Sequence, residues 1–226
     1  MSTTDIPVIA IDGPSASGKG TVAQRAAARL GFHYLDSGAL YRLVALAAMR
    51  AGTDPGNEDA LSRIARHLDV VFEKTQILLE NEDVTDAIRT EACGNSASRI
   101  AAYPQVRTAL LARQRAFSQR PGLVADGRDM ASVVFPGAAL KIFLTASAEI
   151  RAQRRYKQLM EKGIDANIAT LLQDIRERDT RDSNRSVAPL QLGAGMHLLD
   201  TTPLDITQAV DRVLELYAEV RAKDDA

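Results

Sequence analysis

The chain has 226 residues, 46% of them apolar and 25% charged, and a formal net charge of −1. This is enough apolar material for one domain of ordinary size, or one domain carrying a modest insertion, and it excludes a disordered chain. The charge excludes a global basic field for nucleic-acid polymers, and no apolar run approaches the roughly 20 residues of a membrane span.

The leader Met1-Ser2-Thr3-Thr4-Asp5 is short and polar and does not read as a signal peptide. The β-branched run Ile6–Ile11 predicts a buried parallel strand ending at Asp12. After a Gly-rich turn, the spacing of Val22, Ala23, Ala26, Ala27 and Leu30 predicts a helix over Lys19–Leu30, stopped by Gly31. His33-Tyr34-Leu35 is a short strand, and Asp36-Ser37-Gly38 opens a helix running towards Gly52. Between Thr53 and Ala92 the pattern changes. A short helix near Ala60–Leu68 precedes strands at Val70–Lys74 and Ile77–Glu80, with a turn at Asn81-Glu82-Asp83. Those strands leave no room for a crossover helix, so they pair antiparallel, as an inserted subdomain. Cys93, the only cysteine, reads as a small buried side chain and fits a reducing cytoplasm.

Helices return over Ser96–Phe117, broken near Pro104. Leu123–Ala125, ended by Asp126-Gly127, and Leu140–Leu144 are further buried strands. Helices at Ser147–Lys162 and Ala166–Arg178 meet at Gly163, and His197–Leu199 is the last strand. The closing helix, Ile206–Val220, carries Ile206, Val210, Val213, Leu214 and Tyr217 on one face. This alternation predicts an α/β fold, a parallel sheet flanked by helices. The expected organisation is one domain over 1–226, with a core at 1–52, 93–150 and 186–226, an insert at 53–92, and a short helical lid with an arginine-rich segment at 151–185.

Gly13-Pro14-Ser15-Ala16-Ser17-Gly18-Lys19 has the G-x-x-x-x-G-K spacing of a P-loop, between a buried strand and a helix. Its glycines permit a tight turn whose backbone N–H groups face a phosphate, and the helix N-terminus adds partial positive charge. Lys19 is the residue expected at the β- and γ-phosphates. The Ser or Thr that usually follows the lysine, to bind Mg²⁺, is replaced by Gly20, with Thr21 after it. Mg²⁺ is therefore expected to be held partly through water and nucleotide oxygens.

Two strand ends carry the other informative residues. Ser37 and Arg42 lie in Asp36-Ser37-Gly38-Ala39-Leu40-Tyr41-Arg42, and Asp126-Gly127-Arg128-Asp129 follows the Leu123–Ala125 strand. Ligands of open parallel sheets bind beyond the carboxyl ends of strands. Ser37 reads equally as an N-cap and Arg42 as a surface residue. Asp126 at a buried strand end requires a partner, and a magnesium-associated role supplies one. Glu177–Arg185, with Arg178, Arg181 and Arg185, reads either as a solvated helix end or as an arm closing on phosphates. His33, His67 and His197 are isolated, so no His–carboxylate base is visible. A phosphate monoester acceptor needs none, being an anion near neutral pH (second pKa about 6).

These residues resemble the bacterial-type cytidylate kinases, among the P-loop nucleoside monophosphate kinases. The resemblance rests on Ile11–Thr21 with its Gly-Lys-Gly-Thr, Leu35–Arg42, Asp126-Gly127-Arg128-Asp129-Met130, Val133–Pro136, and Arg178–Arg185 followed by Ala188-Pro189-Leu190. It implies that 53–92 is an NMP-binding subdomain. It further implies that Ser37, Arg42 and Arg128 hold the CMP phosphate, that Ser98, Arg107 and Asp129 read cytosine with Arg185 assisting, that Arg178 bridges phosphates, and that Asp182 binds the ribose. The expected reaction is ATP·Mg²⁺ with CMP or dCMP, giving ADP and CDP or dCDP, by a cytoplasmic monomer. A kinase for UMP or AMP remains the nearest alternative. A nucleotide switch would carry an Asn-Lys-x-Asp motif, which the sequence lacks.

Overall fold

The computed structural model describes residues 6–73 and 76–224. The leader 1–5, and Lys74 of an expected strand, lie outside them. By packing, the chain forms two compact units, one made of residues up to Leu35 and from Phe117 onward, the other of Asp36–Ala116.

The first unit is built on a five-stranded sheet in the order β2 (His33–Asp36), β6 (Leu123–Gly127), β1 (Val8–Asp12), β7 (Leu140–Thr145), β8 (His197–Asp200). β1 runs parallel to β6 and β7, and β7 to β8. Every residue of β1 and β6 is buried, as an apolar strand covered on both faces requires. Ile9, Ile11, Val124 and Ile142 form a core with Val22, Ala23 and Ala26 of α1 (Lys19–Leu30) and with Val213 and Tyr217 of α8 (Ile206–Asp224). Gly31 ends α1 in the left-handed conformation, φ 67°, where a glycine carries no Cβ penalty. On α8 the expected stripe is shifted. Ile206, the first residue of the helix, is exposed, and Ala209 and Leu216 complete the buried face instead.

The register pairs Ile11 with Asp126 and Asp12 with both Gly127 and Phe143, so the carboxylates that end β1 and β6 stand on neighbouring strands. Beyond β6 the chain makes a π-helical turn, Met130–Val134, which the sequence does not announce. α6 (Ala148–Glu161) packs on α7 (Ile168–Ser183), and α7 runs past the expected end at Arg178. Glu177–Ser183 is thus regular helix. It continues because Asp182 near its end is buried between guanidinium groups rather than solvated.

In the second unit α2 (Ser37–Arg50) packs on α4 (Glu91–Ile100), and α3 (Glu58–Arg66) on α5 (Pro104–Arg115). The insert expected at 53–92 lies inside this larger unit. β3 (Val70–Phe72) and β4 (Ile77–Leu79) pair antiparallel as expected. The turn expected at 81–83 is displaced. Glu80 and Asn81 both take positive φ, 52° and 65°, the signature of a two-residue hairpin turn, and Glu82–Asp83 becomes a third strand, β5, against β4. α4 starts at Glu91, earlier than expected, because the Thr90 hydroxyl caps it by accepting from Cys93 N. The expected break falls at Pro104, the first residue of α5.

One backbone contact fixes where the phosphate loop leaves the sheet. A Cβ on Gly13 would stand 2.0 Å from the Leu144 carbonyl oxygen of β7. Gly13→Ala is expected to lower stability by about 2–3 kcal/mol, read as a lower urea midpoint at an unchanged slope. An unchanged midpoint would contradict this contact.

Candidate active site

Each unit carries part of the predicted set. In the first, the loop Gly13–Gly18 leaves β1, passes Ala16 at φ 57° and Gly18 at φ 91°, and delivers Lys19 as the first residue of α1. No side chain caps α1, and the Ser17 hydroxyl is buried with no hydrogen-bond partner. Two arginines of α6 support the loop from its carbonyl side. Arg151 donates to Ser15 O (3.1 Å) and Ala146 O (2.9 Å), and makes a bidentate pair with Asp179 of α7 at 3.0 and 2.5 Å. Arg154 donates to Ser17 O (3.0 Å) and to Thr201 Oγ1 and O. With its carbonyls taken from behind, the loop is held without closing its N–H groups into regular structure.

Lys19 Nζ lies 3.9 Å from Asp126 Oδ1 at the end of β6, and Tyr34 of β2 donates its phenol to Asp126 Oδ2 at 2.6 Å. Arg128 donates to Ser15 Oγ at 2.9 Å and, through Nε, to Asp182 Oδ2 at 2.8 Å. Arg185 takes the other oxygen of Asp182. Burial works to raise the Asp182 pKa, but Arg128 and Arg185, with Arg178 adding to the field, hold it below the ordinary carboxylate value. Arg128 is pushed further up by Asp182 against its own burial. Asp182 is 1% exposed. A ribose would therefore have to use lone pairs of its carboxylate that two guanidinium groups leave over.

Asp12 reads in the sequence as the end of a strand. Its two oxygens accept from Met130 N (2.8 Å) and Ala131 N (2.9 Å), fixing the start of the π-helical turn and with it the segment that presents Arg128 and Asp129. Asp129 is itself buried.

In the second unit Asp36, not Ser37, is the N-cap of α2, accepting from Ala39 N. Ser37 is instead the first residue of the helix, buried, and accepts from Gln114 Nε2 of α5 at 3.1 Å. Arg42 is no surface residue. Its guanidinium donates to Ile88 O at 2.7 Å and lies against Gly94, where a Cβ would stand 3.0 Å from Nη2. Ser98 is buried on α4, and Arg107 on α5 donates to Ala101 O at 3.2 Å. Cys93 is buried, donates to Arg42 O, and has its thiol pKa pushed up by burial, so it is not a nucleophile. His33, His67 and His197 are exposed.

A P-loop opening from the carboxyl end of a parallel sheet, beside buried arginines, defines a P-loop phosphotransferase. Residues 9–219 match the family model described as cytidylate kinase. The cytidylate kinase of Nitrosomonas europaea is 61% identical over 221 residues, covering 98% of this chain and 99% of that protein. That of Burkholderia vietnamiensis is 61% identical over 211 residues, 93% of this chain and 92% of its own. A gluconokinase from Sinorhizobium meliloti shares the fold alone, at TM-score 0.50 and 17% identity, over 95% of this chain and 93% of its own. The chain belongs to the cytidylate kinase family, and as such is a nucleoside monophosphate kinase with ATP as phosphoryl donor. No helix among the described residues is long and apolar enough to cross a membrane.

Burial, against the two N–H bonds, raises the Asp12 pKa from 3.8 to about 6. A raised folded-state value stabilises the fold below the unfolded pKa, and that contribution is lost as pH rises through the folded one. Wild type should therefore lose stability relative to Asp12→Asn between pH 4 and 6, and the difference should be flat above 7, as read by urea unfolding. A difference independent of pH would contradict it.

Proposed function

We propose that the enzyme transfers the γ-phosphoryl group of ATP·Mg²⁺ to CMP or dCMP, giving ADP and CDP or dCDP, and that it does so in the cytoplasm as a monomer. The observation that carries this reading is the Arg128–Ser15 hydrogen bond (2.9 Å), which brings an acceptor-side cation to the phosphate loop within a single compact unit. Gly13, Pro14, Ser15, Ala16, Ser17, Gly18, Lys19, Gly20 and Thr21 cradle the ATP phosphates, with Lys19 against the charge that shifts during transfer. Arg128 and Arg178 neutralise the phosphates that approach one another. Ser37 and Arg42 hold the CMP phosphate together with Arg128. Asp129 accepts from the exocyclic amino group of cytosine, while Ser98 and Arg107 meet the ring acceptors, Arg185 assists, and Asp182 receives the ribose.

The donor set fits Mg²⁺ of the nucleotide-borne kind. Among the described residues no group of three or more His, Cys, Asp or Glu is placed to hold a metal ion. Asp126, buried beside Lys19, would supply one carboxylate, and nucleotide oxygens and water the remainder. Bound there, Mg²⁺ would neutralise phosphate charge. The acceptor phosphate is already largely ionised near pH 7 (second pKa about 6), so these residues align and discharge two anions rather than abstract a proton. The lid over 151–165 excludes water, which would otherwise accept the phosphoryl group. Because Arg151 and Arg154 are tied to the loop carbonyls, its motion belongs to the residues beyond Arg154.

ADP release measured with CMP, dCMP, UMP, AMP and GMP should be fastest with the cytidine nucleotides, and a faster rate with AMP or GMP overturns the acceptor assignment. Asp129→Ala should reduce kcat/KM for CMP by about 100-fold or more while ATP affinity is retained, since only the base loses its partner. Equal loss of both would remove Asp129 from the base-reading role.

A further inference from the structure

Gly20 occupies the position where P-loops usually carry the hydroxyl that reaches Mg²⁺. The space beside it is not open. A Cβ built on Gly20 would stand 3.5 Å from Tyr34 Oη and 3.6 Å from Asp126 Oδ2. The volume a Ser or Thr side chain would enter is thus bordered by a phenol from β2 and a carboxylate from β6, themselves joined at 2.6 Å.

We propose that Tyr34 replaces the missing loop hydroxyl, as a positioning residue that orients Asp126 towards the nucleotide-bound metal. A buried carboxylate at a strand end has two oxygens, and rotation about its Cβ–Cγ bond decides where each one points. The Tyr34 O–H fixes Oδ2, which turns Oδ1 towards Lys19. Asp126 is 3% exposed, so water is poorly placed to do the same. Partners that orient a ligating carboxylate typically change metal affinity or activity by 10–100-fold. Gly20 and Tyr34 are then one device, since a side chain at residue 20 would meet the phenol and the carboxylate in ordinary contact, and the phenol already supplies the hydroxyl there. This rests on the reading of Asp126 as metal-associated.

Tyr34→Phe removes the donor and keeps the ring. Mn²⁺ binding to the enzyme–ADP complex, followed by electron paramagnetic resonance, should weaken about 10-fold, while metal-free ADP binding by calorimetry stays within about 2-fold of wild type. In steady state the Mg²⁺ concentration at half-maximal rate should rise, and kcat should fall more than the KM for CMP changes. Gly20→Ser in the Tyr34→Phe background returns a hydroxyl to the vacated space and should recover part of the Mn²⁺ affinity. Unchanged Mn²⁺ affinity in Tyr34→Phe, or equal loss of metal-free ADP binding, overturns the proposal. Asp126→Asn separates the two readings. If it weakens Mn²⁺ binding and Tyr34→Phe does not, only the role of Tyr34 falls, and if it does not weaken binding, the metal association of Asp126 falls as well.

Discussion

Two arginines share one buried carboxylate, and that sharing ties the segment after β6 to the end of α7 beside the phosphate loop. Arg128 and Arg185 each take one oxygen of Asp182, which is 1% exposed. An isolated charge at that depth would be neutralised or expelled, so the three groups stand or fall together. The cluster also carries a net positive charge before any substrate is present. That suits a reaction between two anions, in which repulsion between donor and acceptor phosphates is the main obstacle and preset cations remove it without reorganising.

The same logic runs through the supporting contacts. Arg151 and Arg154 spend their donors on carbonyls of Ser15 and Ser17, and Asp12 spends both oxygens on backbone N–H groups of Met130 and Ala131. In each case a charged side chain from one element holds the backbone of another. A phosphate loop and a π-helical turn are thereby kept in place at the carboxyl ends of β1 and β6. Rigid placement of this kind is what converts binding into rate when the protein performs no covalent chemistry.

Much of this was legible in the sequence where function depends on local spacing. The P-loop, α1 with its glycine stop, the buried strands and the β3–β4 pair follow from patterns within a few residues. The failures have a common physical cause, since they concern partners supplied from far along the chain. Tyr34 reads as a strand residue until Asp126 lies against it, and Asp12 reads as a strand end until the register sets it beside Gly127. Gln114, which donates to Ser37, and Arg154, which reaches Ser17 O, give no local signal. The third strand of the small sheet was missed because Glu82 and Asp83 have low strand propensity and are carried there by the turn at Glu80-Asn81. The helical course of Glu177–Ser183 was obscured because alternating charge usually marks solvent, and here it marks a buried ion network.

Replacement of Asp182 by asparagine, followed by equilibrium unfolding at neutral pH, reads that network most directly. Loss of the charge removes the carboxylate that the two guanidinium groups share. The fold should lose about 3–5 kcal/mol, the amount typical of breaking a buried pair from one side. An Asp182→Asn enzyme within about 1 kcal/mol of wild type, with its kinetics intact, would show that Arg128 and Arg185 hold their places by other means.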